Sequence, residues 1–157
     1  NIKTGDHIVA PSSMYSTTTM FLREIAERFG IETTFVDAET AENYAAAIKS
    51  NTKLFWLETP SNPLLKITDI EAVAKIAKAA NIITIIDSTF ATPFNQKPLT
   101  YGIDIVIHSA TKYFGGHSDL SAGLIIGSEE HVERARHSIG KLYGGKIRLQ
   151  ELWDFFG

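Results

Sequence analysis

Three short polar segments of this sequence carry side chains that could bind a ligand or react with one. The first contains Asn62, the second begins at Asp87, and the third contains Ser109, Thr111 and Lys112. Each follows an apolar stretch typical of a buried strand. A carboxylate at the end of such a strand is partly desolvated and needs a cation or a hydrogen-bond donor facing it. A lysine amine held between apolar walls can have a lowered pKa and act as a nucleophile, and the hydroxyl groups beside it suit a phosphate.

Tyr15 adds an aromatic ring in the turn that follows the first apolar stretch. Its ring could stack on a flat ligand or pack into the core, and the sequence leaves both interpretations open. With it, the segments supply an aromatic ring, an amide, an acid, two hydroxyls and a lysine, which is the set that a pyridoxal phosphate (PLP) site needs. A carboxylate about 4 Å from the protonated ring nitrogen gains about 4 kcal/mol at a surface-like dielectric constant, which exceeds the ~1 kcal/mol of a neutral hydrogen bond.

Each of these residues also has an ordinary structural interpretation. Asp87 and the two hydroxyl residues after it favour a turn or a helix cap. A lone lysine such as Lys112 is usually a solvated surface charge, and the pair Gly115-Gly116 is compatible with a simple turn. The position of the segments after buried strands is what favours a ligand site.

A metal site is the other chemistry that the residue types allow. His108, His117 and Asp119 could be ligands of zinc or iron, but no helical i, i+4 pair and no third nearby ligand supports this. We therefore predict no metal. Instead, we expect His117 to orient a loop through a hydrogen bond and Asp119 to accept hydrogen bonds from backbone donors.

Apolar strands alternate with amphipathic helices along the chain, and these elements must position the candidate residues. Strands are predicted over residues 7–11, 32–36, 53–58, 82–86, 103–107 and 122–127. Helices are predicted over residues 20–29, 40–50, 69–80 and 129–140, with a Ser/Thr-rich turn over 12–19. Strands without polar alternation are buried on both faces, so the pattern predicts an α/β fold with a mostly parallel sheet covered by helices on both faces. In such sheets, ligands bind beyond the carboxyl ends of the strands.

Composition excludes several other classes of protein. The chain has 157 residues, the usual size of one domain, with 15 Lys+Arg against 18 Asp+Glu and a net charge of −3. Without an excess of positive charge, a nucleic-acid partner is not expected. The absence of cysteine excludes a thiol nucleophile and cysteine-bound metals. Because there is neither a run of about 18 apolar residues nor a signal peptide, we expect no membrane partner and a cytoplasmic protein.

Four motifs resemble one known enzyme family. They are Glu58-Thr-Pro-Ser-Asn-Pro63, Asp87-Ser-Thr-Phe-Ala-Thr-Pro93, His108-Ser-Ala-Thr-Lys-Tyr113 and Gly115-Gly-His-Ser-Asp119. In this order they resemble the Cys/Met-metabolism family of PLP enzymes, which includes cystathionine γ-synthase, cystathionine β- and γ-lyases, methionine γ-lyase and the O-acylhomoserine sulfhydrylases. The likeness runs from about residue 5 to at least residue 136. It implies an incomplete large domain of the fold type I PLP-dependent transferase kind.

The resemblance implies that Lys112 and Tyr15 are catalytic and that Asp87 binds the cofactor. Lys112 would hold the cofactor covalently and then move protons between substrate carbons. Asp87 would pair with the pyridine nitrogen, and Tyr15 would stack on the ring. Where the family commonly has glycine after this tyrosine, the chain has four hydroxyl residues, 16–19, so the turn that carries the ring could sit differently.

The remaining cofactor contacts follow from the same resemblance. Ser109 and Thr111 would hold the phosphate, Asn62 would contact the ring hydroxyl, and Thr89 would lie against the other face of the ring. The family usually has asparagine after the acid, where this chain has Ser88. We expect that difference to change local hydrogen bonding without loss of the chemistry.

The length of the chain is the largest departure from the family, whose members are well over twice as long. We therefore expect residues 1–140 to form a PLP-binding large-domain core truncated at its N-terminus. We expect residues 141–157, which are apolar and aromatic, to lead toward a missing C-terminal part. The resemblance implies an amino-acid substrate and a homo-oligomer, a dimer or a homotetramer, whereas the fragment alone is expected to show little or no turnover.

The resemblance implies a PLP-dependent transsulfuration-type enzyme that catalyses β- or γ-elimination or replacement on a sulfur-containing amino acid. Two other functions compete with this enzymatic one. A noncatalytic, truncated relative would fold or assemble as a structural or interaction module, with Lys112 an ordinary charge. A nucleotide-binding domain with Asp87 as a magnesium ligand is disfavoured, because neither G-x-G-x-x-G nor the G-x-x-x-x-G-K-[ST] phosphate loop occurs.

Overall fold

A single six-stranded sheet organises the part of the chain that the structure, a computed structural model, describes, namely residues 2–138. The strands are β1 (His7–Pro11), β2 (Glu32–Val36), β3 (Thr52–Glu58), β4 (Ile83–Asp87), β5 (Ile105–Ser109) and β6 (Gly123–Gly127). The helices are α1 (Ser16–Met20), which continues into a π-helical segment (Phe21–Ala26), α2 (Ala41–Ala46), α3 (Ile70–Ala79), α4 (Thr92–Asn95), a 3₁₀ turn (Pro98–Tyr101) and α5 (Glu129–Arg136).

The strand order is β2-β1-β3-β4-β5-β6. Neighbouring strands from β2 to β5 are parallel, and β6 pairs with β5 in the antiparallel direction. Parallel neighbours need a crossover connection, which the helices between the strands provide. The predicted α/β fold with a mostly parallel sheet is therefore confirmed.

The two faces of the sheet bury different sets of side chains, because successive residues of a strand point to opposite faces. On one face, α2 and α3 cover a cluster that includes Val9, Phe55 and Ile86. On the other face, the π-helical continuation of α1 covers a cluster that includes Ile8 and Leu54. We call these the α3 face and the α1 face.

A cavity of about 970 Å³ lies against the α1 face. Its sheet-side lining consists of Ile8, Leu54, Trp56, Ile83, Ile85 and Ile105. Residues of α1, of its π-helical continuation and of α5 line much of the rest. The isoleucines of β4 on this face are therefore only partly buried, whereas Ile86 on the α3 face is fully buried.

The first helix begins earlier than the sequence predicts. Residues 12–19 were expected to form a turn, but α1 already starts at Ser16, so the turn is confined to the residues before it. The end of this helix agrees with the prediction, because Gly30 follows it with a φ of +70°. A side chain at this glycine would place its Cβ 2.8 Å from Cγ2 of Thr4, so the turn also needs the space.

Helix α5 is the last described element. Its N-cap is Ser128, whose hydroxyl accepts a 3.4 Å hydrogen bond from the backbone N–H of His131. The apolar segment expected at residues 141–157, and the end of the helix predicted to reach residue 140, lie outside the described residues. Over residues 2–138, no helix is long and apolar enough to cross a membrane.

Candidate functional site

The candidate residues meet where β3, β4 and β5 end. These strands are parallel, so their carboxyl ends lie at the same edge of the sheet. Glu58, the last residue of β3, is in register with Asp87, the last residue of β4. Asp87 is in register with Ile107 of β5, and Ser109 follows two residues later. The three strand ends therefore present Glu58, Asp87 and Ser109 side by side.

The same three residues share a face of the sheet. Glu58 has the strand parity of Leu54 and Trp56, and Asp87 that of Ile83 and Ile85, all of which belong to the α1 face. Ser109 has the parity of Ile105, which lines the cavity on that face. The two acids and the serine thus lie above the apolar cavity, at its strand-end side.

Glu58 joins two loops at this edge. Its side chain is buried, with 4% of its surface exposed. Its carboxylate accepts hydrogen bonds from the backbone N–H of Tyr15, at 2.9 and 3.1 Å, and from that of Asn62, at 2.7 Å. Burial raises the pKa of Glu58, the two backbone donors oppose that rise, and the nearby charge of Asp87 adds to it. Sequence reasoning did not single out this residue.

Tyr15 and Asn62 are the two residues that these bonds hold. Tyr15 is the N-cap residue of α1, and 48% of its surface is exposed, so the alternative in which its ring packs into the core is wrong. Asn62 is half-buried in the loop after β3. The hydroxyls of Ser13 and Ser61, 3.2 Å apart, bind the same two loops together. The structure therefore places both residues beside the strand-end acids.

Asp87 connects to Ser109 through Thr89. The Asp87 carboxylate accepts a 2.9 Å hydrogen bond from the Thr89 N–H, through one of its two oxygens. The Thr89 hydroxyl accepts a 2.8 Å bond from the Ser109 N–H. Thr89 therefore fixes the end of β4 to the end of β5 on the side where Asp87 and Ser109 lie.

Lys112 lies in the turn that follows β5. Its backbone N–H donates to the Ser109 carbonyl at 3.2 Å, and its own carbonyl accepts from the Gly116 N–H at 2.8 Å. Gly116 has a φ of +78°, a conformation that favours glycine. The turn thus holds Lys112 close in the chain to Ser109. Its side chain is exposed, and the apolar walls expected around its amine are not formed by residues 2–138.

Thr111 fixes the same turn to the chain that leads into β6. Its hydroxyl accepts a 3.1 Å bond from the Ala122 N–H and donates to the Ala122 carbonyl at 3.4 Å. Its backbone N–H also donates to that carbonyl at 3.3 Å. Thr111 as a residue is partly exposed.

The charges of this edge fit a cationic ligand atom. Asp87 and Glu58 are adjacent across two strands, and neither forms an ion pair with a lysine or arginine of the described chain. Two neighbouring carboxylates without a cation repel each other, and a positive charge placed beside them removes that cost. The protonated ring nitrogen of PLP supplies such a charge. The Ser109 hydroxyl is a suitable donor to a phosphate, and the Thr111 hydroxyl could donate to one in place of its long 3.4 Å bond to the Ala122 carbonyl. The residues present therefore fit this cofactor.

The two histidines and the acid considered as metal ligands do not come together as a group. His108 is buried on the α3 face, where its ring packs edge-on against Phe114 with 5.2 Å between the ring centroids. Burial lowers the pKa of His108, while Asp87 and the Ser88 backbone raise it. His117 contacts the Gly115 carbonyl at 3.1 Å and is exposed, as is Asp119. In the described part of the chain, no three such side chains form a metal site.

The sequence did contain a signal for Glu58. Like Asp87, it is a carboxylate that ends an apolar strand, and its strand is the neighbour of β4. Two strand-end acids in consecutive strands of a parallel sheet indicate adjacent positions at the binding edge. That inference needed the strand order, which spacing along the chain does not supply.

Comparison with known proteins identifies relatives of this chain. The family model described as "Cys/Met metabolism PLP-dependent enzyme" matches residues 1–155. Cystathionine gamma-lyase of Bacillus subtilis is 46% identical over 149 residues, which cover 95% of this chain and 39% of that protein. L-methionine gamma-lyase of Fusobacterium nucleatum is 48% identical over 136 residues, 86% of this chain and 34% of that protein.

A comparison of structures finds a relative of the same kind. The crystal structure of cystathionine gamma-lyase from Lactobacillus plantarum, complexed with L-serine, superposes with a TM-score of 0.89 and 41% identity. The match covers 98% of this chain and 40% of the solved one. The chain therefore spans well under half the length of the proteins it resembles.

Proposed function

This chain belongs to the Cys/Met metabolism family of PLP-dependent enzymes, and from that premise we propose that it forms the cofactor-binding core of a β- or γ-eliminating or replacing enzyme. Its substrate would be an amino acid with a sulfur or oxygen leaving group on the β or γ carbon, of the cystathionine, methionine or O-acylhomoserine class. The names of its relatives, which include lyases and a probable synthase, support this range of reactions.

One observation carries the proposal. Hydrogen bonds and strand register connect the proposed cofactor residues in one unbroken series at a single edge of the sheet. The series runs from Tyr15 and Asn62 through Glu58 to Asp87, and from there through Thr89 and Ser109 to Lys112. A site that must hold one rigid planar ligand at several points needs such a series, because each contact has to be fixed relative to the others.

The proposed roles follow from the chemistry of each side chain. When bound, PLP withdraws electrons from the substrate α carbon. Lys112 would hold the cofactor through its amine and, once the substrate amine has replaced it, take the proton from the α carbon. Asp87 would keep the ring nitrogen protonated, and Tyr15 would stack on the ring. In addition, Ser109 and Thr111 would bind the phosphate.

Asn62 and Thr89 would complete the cofactor contacts. Asn62 carries an amide that can bond to the ring hydroxyl. Thr89 would lie against the other face of the ring, and its hydroxyl already accepts the Ser109 N–H. Both residues are partly buried, so each can contact a ligand and the protein at once.

Removal of Lys112 tests this proposal. Protein that binds PLP is expected to be yellow, and K112A is expected to lose the visible band. Exposed Lys53 of β3 supplies the matched control, and K53A should keep the band. A colourless wild-type protein, or a K112A protein with the band intact, would instead favour the noncatalytic structural module.

The isolated 157-residue chain is expected to show little or no turnover with these substrates. The measurement is the release of ammonia, ketoacid or thiol after the cofactor is added. We also propose that the active protein is a homo-oligomer, a dimer or a tetramer, in the cytoplasm. Vigorous activity of the bare chain would show that its own residues form a sufficient active site.

A further inference from the structure

The buried carboxylate of Glu58 needs hydrogen-bond donors in place of water, and two backbone N–H groups supply them. A carboxylate taken out of water loses its hydration, and that loss is compensated only by donors that replace the water. All three described contacts with the Glu58 carboxylate come from two backbone N–H groups, those of Tyr15 and Asn62. No lysine or arginine of residues 2–138 pairs with it.

The two residues that Glu58 binds lie in different loops. Tyr15 follows β1, and Asn62 follows β3. Tyr15 lies 43 residues from Glu58 in the chain, so its bond to Glu58 is a long-range contact. Both are residues for which cofactor contacts are proposed above. Hydrogen bonds to an ionised acceptor are shorter and stronger than neutral ones, and the 2.7 Å bond from Asn62 is of this kind.

We propose that Glu58 is a positioning residue, whose carboxylate holds the backbones of Tyr15 and Asn62 so that both side chains meet the cofactor. This inference rests on the proposed function. Glu58 touches neither the reacting atoms nor the substrate. It acts through the two loops that it joins, and the pair Ser13 and Ser61 assists it by linking the same loops.

The variant E58Q tests the proposal in the holoprotein. A glutamine has the same shape, but its NH₂ group cannot accept a hydrogen bond. With the amide oxygen in the place of Oε1, the NH₂ group would face the Tyr15 N–H that Oε2 now accepts at 2.9 Å, donor against donor. With the amide turned over, the Asn62 N–H would lose its acceptor. We expect the dissociation constant for PLP to rise about tenfold or more. The visible circular dichroism per bound cofactor should also decrease, because a ring held less firmly by Tyr15 is less asymmetrically oriented.

Asp104 provides the matched control at the opposite edge of the sheet. Its partly buried carboxylate accepts 2.8 Å bonds from both the backbone N–H and the hydroxyl of Thr84. Both bonds end on one oxygen of Asp104, which an asparagine could replace, so D104A is the variant that removes this acceptor far along the strand from the site. We expect D104A to change the affinity for PLP less than twofold while it lowers stability toward urea.

A double-mutant cycle separates positioning from a general structural role. If Glu58 acts through Tyr15, E58Q should weaken PLP binding less in a Y15A background than in the wild type. Equal effects in both backgrounds, or an E58Q affinity equal to that of D104A, would overturn the proposal.

A second variant at the same position keeps the proposal testable. If E58Q does not fold, E58D, which keeps the charge but shortens its reach by one methylene, should show the same loss of affinity and of circular dichroism. An E58D protein with wild-type values of both would overturn the inference. Failure of the proposed function is separate, because it appears as an unchanged visible band in K112A.

Discussion

Asp87 and Ser88 are neighbours in the sequence but belong to opposite faces of the sheet. Asp87 lies on the α1 face with Glu58, whereas Ser88 is fully buried and its hydroxyl accepts a 2.9 Å hydrogen bond from the Gln96 amide. Gln96 also donates to the Thr59 carbonyl at 3.1 Å. The serine that stands where the related enzymes usually have asparagine therefore fixes the chain after α4 to the sheet.

Replacement of Ser88 should therefore affect stability and leave cofactor binding intact. We expect S88A to lower the free energy of unfolding by about 1 kcal/mol, the usual net value of one hydrogen bond, because Gln96 keeps its second acceptor. Urea unfolding measures this loss, and a titration with PLP should give an affinity within twofold of the wild type. A tenfold weaker affinity for PLP would contradict the assignment of Ser88 to the opposite face.

Helix α3 shows how local signals set an element. Asp69 is its N-cap, and its carboxylate accepts a 2.9 Å hydrogen bond from the Ala72 N–H. The face that carries Ile70, Val73 and Ala77 is buried on the sheet. The cap satisfies one of the four N–H groups that a helix leaves without partners at its start.

Loss of this cap should be measurable in the free energy of unfolding. We expect D69A to destabilise the protein by about 1 kcal/mol. In the matched variant D69N, the amide oxygen can still accept the Ala72 N–H, so that variant should lose only a few tenths of a kcal/mol. Chemical denaturation of both variants checks the difference, and equal losses in D69A and D69N would show that the charge of Asp69, rather than its cap, is what matters.

The strands and α3 could be predicted from the sequence to within two residues, but the start of α1 could not. Strands such as β4 and β5 are buried, so they consist of apolar residues that can be recognised in the sequence. The start of helix α1 has no comparable sequence signal, because Tyr15 at its N-cap makes no side-chain cap bond and its first residues are Ser and Thr, which also favour turns. The hydroxyl of Thr19 instead donates to the Tyr15 carbonyl at 3.3 Å.

Prediction of the site from the sequence has the same limit. Residues that follow apolar strands could be found from spacing, as Asp87 and Ser109 were. Glu58 owes its position to pairing between β3 and β4, and its partner Tyr15 comes from a loop 43 residues away. Contacts of this range depend on the strand order of the whole sheet, which no local pattern records.

At the scale of the whole molecule, His7 connects three strands. It lies in β1 with no exposed surface, and its two ring nitrogens contact the hydroxyls of Thr52 in β3, at 2.7 Å, and Thr34 in β2, at 2.8 Å. Burial lowers the pKa of His7 from its ordinary value of 6.5, the charge of Lys49 lowers it further, and Glu32 opposes both. The neutral ring is therefore the form that the folded sheet favours.

That preference makes the stability of the sheet depend on pH. Above pH 6.5 the ring is neutral in both the folded and the unfolded chain, and the contribution of His7 is fully present. As the pH falls below 6.5, the unfolded chain takes up a proton that the folded chain resists, so stability is lost until the lower pKa of the folded state is reached. Glu58, whose pKa is raised by burial, has the opposite effect on stability. Its contribution is present below its ordinary pKa of 4.5 and is lost as the pH rises through the raised pKa of the folded state.

The variant H7Q isolates the histidine contribution. Its amide can donate to one threonine and accept from the other, but it does not titrate. We expect the wild type to lose free energy of unfolding relative to H7Q as the pH is lowered from 8 to below 6.5, in urea unfolding measured across that range. H117Q, which removes an exposed imidazole from the same chain, is the control. If H7Q and H117Q show the same dependence on pH, the buried ring of His7 does not couple protonation to the pairing of β1 with β2 and β3.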